Sequence, residues 1–211
     1  MEDIEALIAR LAQDTAAMQP APHPFVLSLK WMGWAAAYLL LSFMFSGHRP
    51  DLMSKLHEPL FFAEIAALVG IFVATTLSAS LLSFPDMHQM PKLVLAPAIA
   101  FALFVLVLFL AWQAENPLTP LPVHSFECTV SITLFSLFPA GWTFYAMRKF
   151  ASTHYRWAGG IALLSAFSIG ALWLRLHEIN DSIMHVVEWH YLPMIFFGMS
   201  GLWIGKKLLK W

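Results

Sequence analysis

Toward the carboxyl end of the chain, Arg175, His177, Asp181, His185, Glu188 and His190 follow one another closely, and the single cysteine, Cys128, adds a thiol. Imidazole, carboxylate and thiolate together suit zinc or another transition metal. His177, Asp181 and His185 are spaced by four and share a helical face if the segment joining them is helical, while His185 and Glu188, three apart, can point the same way. No HExxH or paired-cysteine motif accompanies them, which favours the plainer reading of a structural hydrogen-bond and ion-pair network. One cysteine excludes an intramolecular disulfide and a cysteine-based zinc knuckle. A thiol with distant histidines meets the generic requirement for a nucleophile and base, but no glycine loop for phosphate is present.

The elements that must carry these groups are set by composition. Of 211 residues, 59% are hydrophobic and 12% charged, and the mean hydropathy is +0.68. Soluble domains carry about 25% charged residues, so this chain must be solvated by lipid. Apolar windows of membrane-spanning length fall at roughly 25–46, 60–82, 93–113, 126–147, 157–176 and 186–204. Only helices and closed barrels satisfy the backbone in lipid, and runs such as 101–111 do not alternate as barrel strands would. The expected fold is therefore all-α, a bundle of six transmembrane helices over residues 25–211. Pro97, Pro139 and Pro193 lie within spans and predict kinks or local breaks.

Basic residues fix the orientation. Arg10, Lys30, Lys92, Arg148, Lys149, Arg156, Lys206, Lys207 and Lys210 fall on one side, and Arg49, Lys55 and Arg175 on the other. Both termini are accordingly expected in the cytoplasm. The opposite face gathers His48, His57, His124, His177, His185 and His190 with most of the carboxylates. Charged groups near or within spans are costly and need partners, so Arg175 is expected to pair with Glu64 or Glu188.

Residues 1–24 form a separate cytoplasmic head. Ile4, Leu7, Ile8, Leu11, Thr15 and Met18 make one apolar stripe of a short helix, and Gln19-Pro20-Ala21-Pro22-His23-Pro24 follows as a stiff tether. Glu2, Asp3, Glu5 and Asp14 outweigh Arg10, for a net charge of −3. Anionic lipid repels such a helix, and a groove in a basic protein partner suits it; the alternative is that it folds back on Arg148, Lys149 and Arg156. The acidic start also lacks the basic region of a secretory signal, so the run from Phe25 is read as an anchor and first span.

Several stretches in fixed order point to a family. They are Leu7-Ile8-Ala9-Arg10-Leu11-Ala12-Gln13-Asp14, Arg49-Pro50-Asp51-Leu52, Glu58-Pro59-Leu60-Phe61-Phe62-Ala63-Glu64, Ser125-Phe126-Glu127-Cys128, Leu174-Arg175-Leu176-His177 with Asp181-Ser182, His185 and Trp189-His190, and the closing Gly205-Lys206-Lys207-Leu208-Leu209-Lys210-Trp211. Together they resemble the NrsF-like family of six-span bacterial inner-membrane proteins, negative regulators of extracytoplasmic-function sigma factors. The resemblance implies a non-enzymatic anti-sigma factor that withholds a sigma factor until an envelope stress signal, metal or oxidant, releases it. Direct contact with nucleic acid is not expected, since no long basic stripe lies outside the membrane-flanking loops.

On this resemblance Ile4, Leu7, Ile8, Leu11 and Asp14 would bind the sigma factor, and Glu64, Cys128, Arg175, His177, Asp181, His185 and His190 would sense. Family members carry a cysteine at the start of span four and a second just after Leu-Arg-Leu-His. Cys128 matches the first, but Glu178 stands at the second, which removes a disulfide switch and leaves oxidation of Cys128 alone or a transition-metal ion on Cys128, His177, Glu178, His185 and His190. Replacing a thiol by a carboxylate keeps a ligand and moves the site toward harder ions. The competing reading is a membrane metal-binding or small-solute transport protein built on the same outer groups, and a third is a membrane redox enzyme using Cys128.

Overall fold

A computed structural model of the full chain describes residues 4–15, 21–85, 91–115 and 125–210. Among these the protein is all-helical. The amphipathic head is α1 (Ile4–Thr15). The bundle comprises α2 (Pro24–Ser46), the short α3 (Leu52–Lys55), α4 (Pro59–Leu82), the short α5 (Pro91–Val94), α6 (Ala96–Ala114), α7 (Phe126–Met147), α8 (Tyr155–His177), the short α9 (Ile183–Val186), a π-helical turn (Val187–Tyr191) and α10 (Leu192–Leu208). Met18 of the expected stripe, Gln19 and Pro20 of the tether, and His124 lie outside the described residues.

Among the described residues, five helical runs are long and apolar enough to cross a membrane: Pro24–Ser46, Pro59–Leu82, Lys92–Ala114, Phe126–Met147 and Tyr155–His177. The sixth expected span, 186–204, lies within a continuous helical run over 183–208, which the π turn divides so that its longest regular part is the 17-residue α10. Large apolar side chains such as Trp34, Phe45, Leu103, Phe138 and Trp203 point outward. This is the surface that a bundle solvated by lipid presents.

The three span prolines act differently. Pro139 sits inside α7, which continues through it. Pro97 lies in the first turn of α6, just past the break at Leu95, where its missing N–H costs nothing. Pro193 follows the π turn and cannot donate to the carbonyl of Trp189, which accepts the Thr129 hydroxyl at 3.1 Å. Leu192 instead donates back five residues to Val187, the bond that defines a π turn.

Helix α8 is the buried axis, packed by α4, α7 and α10. Its contact with α10 depends on glycine. A Cβ on Gly201 would stand 2.8 Å from the Gly160 Cα, and one on Gly205 2.8 Å from the Gly159 Cα, so the backbones meet through the small-xxx-small spacing of Gly201 and Gly205. Away from this seam, Gly47 ends α2 at φ +73°, a conformation that favours glycine.

The connections converge at two ends. At one, Arg49 N–H donates to the Leu176 carbonyl (3.0 Å), His177 Nδ1 lies 3.1 Å from the Gly47 carbonyl, and Ile183 N–H donates to Glu115 (3.2 Å). At the other, Ser152 donates to the Leu82 carbonyl (2.7 Å) and Phe84 packs on Phe150. The first end carries nearly all the chemistry.

Candidate functional site

Two polar layers occupy that end. The first begins inside the bundle, where Glu64 in the second turn of α4 meets Arg175 in the last turn of α8. Arg175 Nε and Nη2 donate to the two Glu64 oxygens at 2.8 and 3.1 Å, a bidentate fork, and the Tyr191 hydroxyl donates to Glu64 as well. Of the two expected partners for Arg175, the structure selects Glu64; Glu188 is exposed.

From there the pairs step outward. Arg175 Nη1 reaches Asp181 at 2.8 Å, Arg49 grips the same carboxylate at 2.7 and 2.9 Å, and Lys55 approaches it to 3.0 Å. Arg49 also forks onto Asp51 at 2.7 and 2.9 Å. The Phe61 ring lies under both guanidiniums, 5.5 Å from Arg49 and 4.6 Å from Arg175, within cation–π range. Burial pushes the Asp181 carboxyl up, but hydrogen bonds from Arg49, Arg175 and Lys55 outweigh it and hold it well below the usual carboxylate range. Those same bonds to Asp181 and Asp51 raise Arg49 further above its ordinary value.

The side chains of Arg49 and Arg175 are 0% and 2% exposed, and a buried charge survives only when paired. The network therefore staples the first loop, α4, the end of α8 and the fifth loop to one another. The charge pattern of the sequence points to Glu64, Arg175 and Asp181. It misses Arg49, Asp51, Lys55, Phe61 and Tyr191, although Arg49-Pro50-Asp51, a charged pair between two spans, carries the signal for two of them.

The second layer lies beside the first. Cys128 in the first turn of α7, Glu178 just past α8, His185 in α9 and His190 in the π turn place one ligand atom each within 4.8 Å of one another. The Cys128 thiol donates to Glu178 at 3.2 Å, with His185 Nε2 3.9 Å from the sulfur. The two imidazoles stand edge to face, 5.4 Å between centroids. Both are fully buried, and His185 Nδ1 and both nitrogens of His190 have no hydrogen-bond partner among the described residues. Each such orphan costs about 1–3 kcal/mol.

The π turn brings the histidines together. Five residues along an α-helix leave two side chains about 140° apart, whereas the wider turn, bonded i→i+5, brings them toward one face. As chemistry, the group is a thiol, a carboxylate and two imidazoles: a borderline donor set for a transition metal. It is poorly arranged for nucleophilic catalysis, because the thiol proton is given to a carboxylate and the nearest imidazole lies beyond the 2.6–3.2 Å of a nucleophile and its base.

His177 does not join these donors. Helix α8 ends at His177, Glu178 turns into extended backbone (φ −76°, ψ 140°), and residues 178–182 are not helical. The face expected to unite His177, Asp181 and His185 therefore does not form. His177 instead stacks on Trp173 at 5.3 Å, which stacks in turn on Phe135. The shared face expected for His185 and Glu188 also fails, since His185 is buried and Glu188 exposed.

On α1, Ile4, Leu7 and Ile8 are 73%, 45% and 59% exposed, so this part of the stripe is left uncovered among the described residues. The side chains of Leu11 and Asp14 lie outside the described residues.

The family model described as "NrsF: Negative regulator of sigma F" matches residues 11–211. The chain belongs to the NrsF family. Comparison with the curated proteins and with the solved structures found no match. Membership makes the chain a negative regulator of a sigma factor and gives it a sigma factor as partner. Both polar layers fall inside the NrsF match. Ile4, Leu7 and Ile8 precede it.

Proposed function

We propose that this NrsF-family protein is a multi-pass inner-membrane anti-sigma factor, non-enzymatic, that holds an extracytoplasmic-function sigma factor through its N-terminal segment. An envelope stress signal, metal or oxidant, received at the polar end releases it. The observation that carries this reading is the uncovered apolar stripe of Ile4, Leu7 and Ile8 on an acidic helix, in a chain whose family restrains a sigma factor. Burial of that stripe is left to another molecule, and a helix in a groove is the mode that accepts it.

The positive-inside rule puts α1 and both termini in the cytoplasm, and the two polar layers on the outer face. Signal and partner then meet the chain on opposite sides of the bilayer. Transmission needs two states of the bundle that differ in sigma affinity and that the signal binds unequally. Glu64, Arg175, Asp181, His185, His190 and Cys128, drawn from different helices, are placed to register such a change; His177, stacked on α8, has a lesser role.

Deleting residues 2–18 tests the head. The deletion is expected to abolish co-purification of the sigma factor and to release a sigma-dependent reporter, with the membrane domain still inserted. Retained repression and retained binding would refute the assignment.

A further inference from the structure

We propose that Cys128, Glu178, His185 and His190 form a four-donor site for a divalent ion of the zinc type. The inference starts from the two histidines. Fully buried imidazoles find hydrogen-bond partners in nearly all proteins, yet among the described residues three of the four ring nitrogens here have none, and the fourth faces the Cys128 sulfur. A metal ion bonds one nitrogen of each ring, and so supplies His190, which has no partner at either nitrogen, with one.

Geometry agrees. Around tetrahedral zinc, with bonds of about 2.0–2.3 Å, neighbouring donor atoms stand roughly 3.3–3.6 Å apart. The thiol–carboxylate and thiol–imidazole separations are 3.2 and 3.9 Å, and all four donors lie within 4.8 Å of one another. Closure needs a contraction of about 1 Å in the longest separation, which side-chain rotation supplies. The set comes from three separate places, the start of α7, the end of α8 and the α9–π segment, and the unusual turn is what adds His190.

Charge balance and selectivity follow from the donors. On binding, the sulfur–metal bond replaces the S–H bond and one proton passes to solvent, so that thiolate, carboxylate and a dication sum to zero in a buried place. Nitrogen and sulfur donors favour zinc or cobalt over magnesium and calcium, which take oxygen. Glu178 is the least buried of the four and marks the side of entry. As the entry point of a stress signal the site rests on the regulatory reading above; as a metal site it does not.

The test uses the full chain in detergent micelles, treated with chelator and titrated with Co2+. The expected result is one ion per chain, with the intense visible bands of tetrahedral cobalt, a near-ultraviolet thiolate charge-transfer band, release of one proton and displacement by Zn2+. Cys128→Ser should remove the charge-transfer band, and His190→Gln should weaken binding by more than about 100-fold, beyond the loss typical of outer-shell changes. His177→Ala should leave the spectrum unchanged. If a variant misfolds, the wild-type stoichiometry and charge-transfer band still decide.

Failure of the folded wild-type chain to bind Co2+ or Zn2+, or a spectrum insensitive to both Cys128→Ser and His190→Gln, overturns the proposal. Sigma-factor retention measured on the same preparations separates the two readings. Loss of the metal spectrum with retention intact refutes the site alone, and a normal spectrum in a chain that never retains the sigma factor refutes the regulatory reading alone.

Discussion

Replacing Glu64 by Leu removes the acceptor of two Arg175 bonds and of the Tyr191 hydroxyl. Arg175, 2% exposed, keeps Asp181 as its one carboxylate and the Phe61 ring. Breaking a buried pair from one side costs about 3–5 kcal/mol, and the orphaned tyrosine hydroxyl adds about 1–3 kcal/mol. Arg175→Met leaves Glu64 buried with Tyr191 alone and should cost about the same 3–5 kcal/mol. The double variant has no uncompensated charge on either helix. It should lose far less than the sum of the singles, with a coupling energy of at least about 2 kcal/mol. Equilibrium unfolding of the full chain in mixed micelles, followed by tryptophan fluorescence, measures all three. Additive single effects, or a Glu64→Leu cost below about 1 kcal/mol, would show that Arg175 is solvated by something other than Glu64 and would sink the account of this layer.

Two further outcomes follow from the same structure. Because Asp181 is held below the usual carboxylate range, it stabilises the fold at every pH above its unfolded value of about 3.9 and loses that contribution as pH falls from there toward the folded value. Unfolding free energy should thus carry no Asp181 slope above about pH 5 and a decline below it that Asp181→Asn removes; an Asp181-dependent slope at neutral pH would contradict the pairing. Gly201→Ala places a Cβ 2.8 Å from the Gly160 Cα and should cost about 1–3 kcal/mol through forced separation of α8 and α10. Gly70→Ala, with nothing within 4 Å of its new Cβ, should be neutral or stabilising, and equal losses at the two positions would discount the glycine seam.

Much of the helix plan is legible in hydropathy, because long uninterrupted apolar runs mark the five long helices and prolines, glycine or charge mark their ends. The pairing of Glu64 with Arg175 is legible for a related reason: charges set in spans must find each other. What escapes is whatever depends on local helix geometry. His177 and His185 look related by helical spacing, but α8 stops at His177 and the chain turns. His185 and His190, grouped in the sequence by residue type, would diverge on a regular helix at five apart, and a π turn rotates one toward the other. Pro193 was visible as a disturbance, but its consequence lies on its amino-terminal side, where the lost N–H allows the wider turn. Tyr191, not singled out in the sequence, proves to be a buried donor to a carboxylate, a role that only the fold can assign.

The two polar layers are not independent, and the π turn is the reason. His190 and Tyr191 are consecutive, yet His190 joins the donors Cys128, Glu178 and His185 while Tyr191 bonds Glu64 and packs edge-on against Phe104 of α6 at 4.8 Å. The fifth loop repeats the pattern, with Glu178 in one layer and Asp181 in the other. Any ligand that draws the four donors together pulls on Glu178 and on the π turn at once, and so on both ends of the Glu64–Arg175–Asp181 chain. A regular α-helix through 183–208 would turn His190 away and cut that link. The π turn is therefore what allows one group of side chains to address four long helices, α4, α6, α7 and α8.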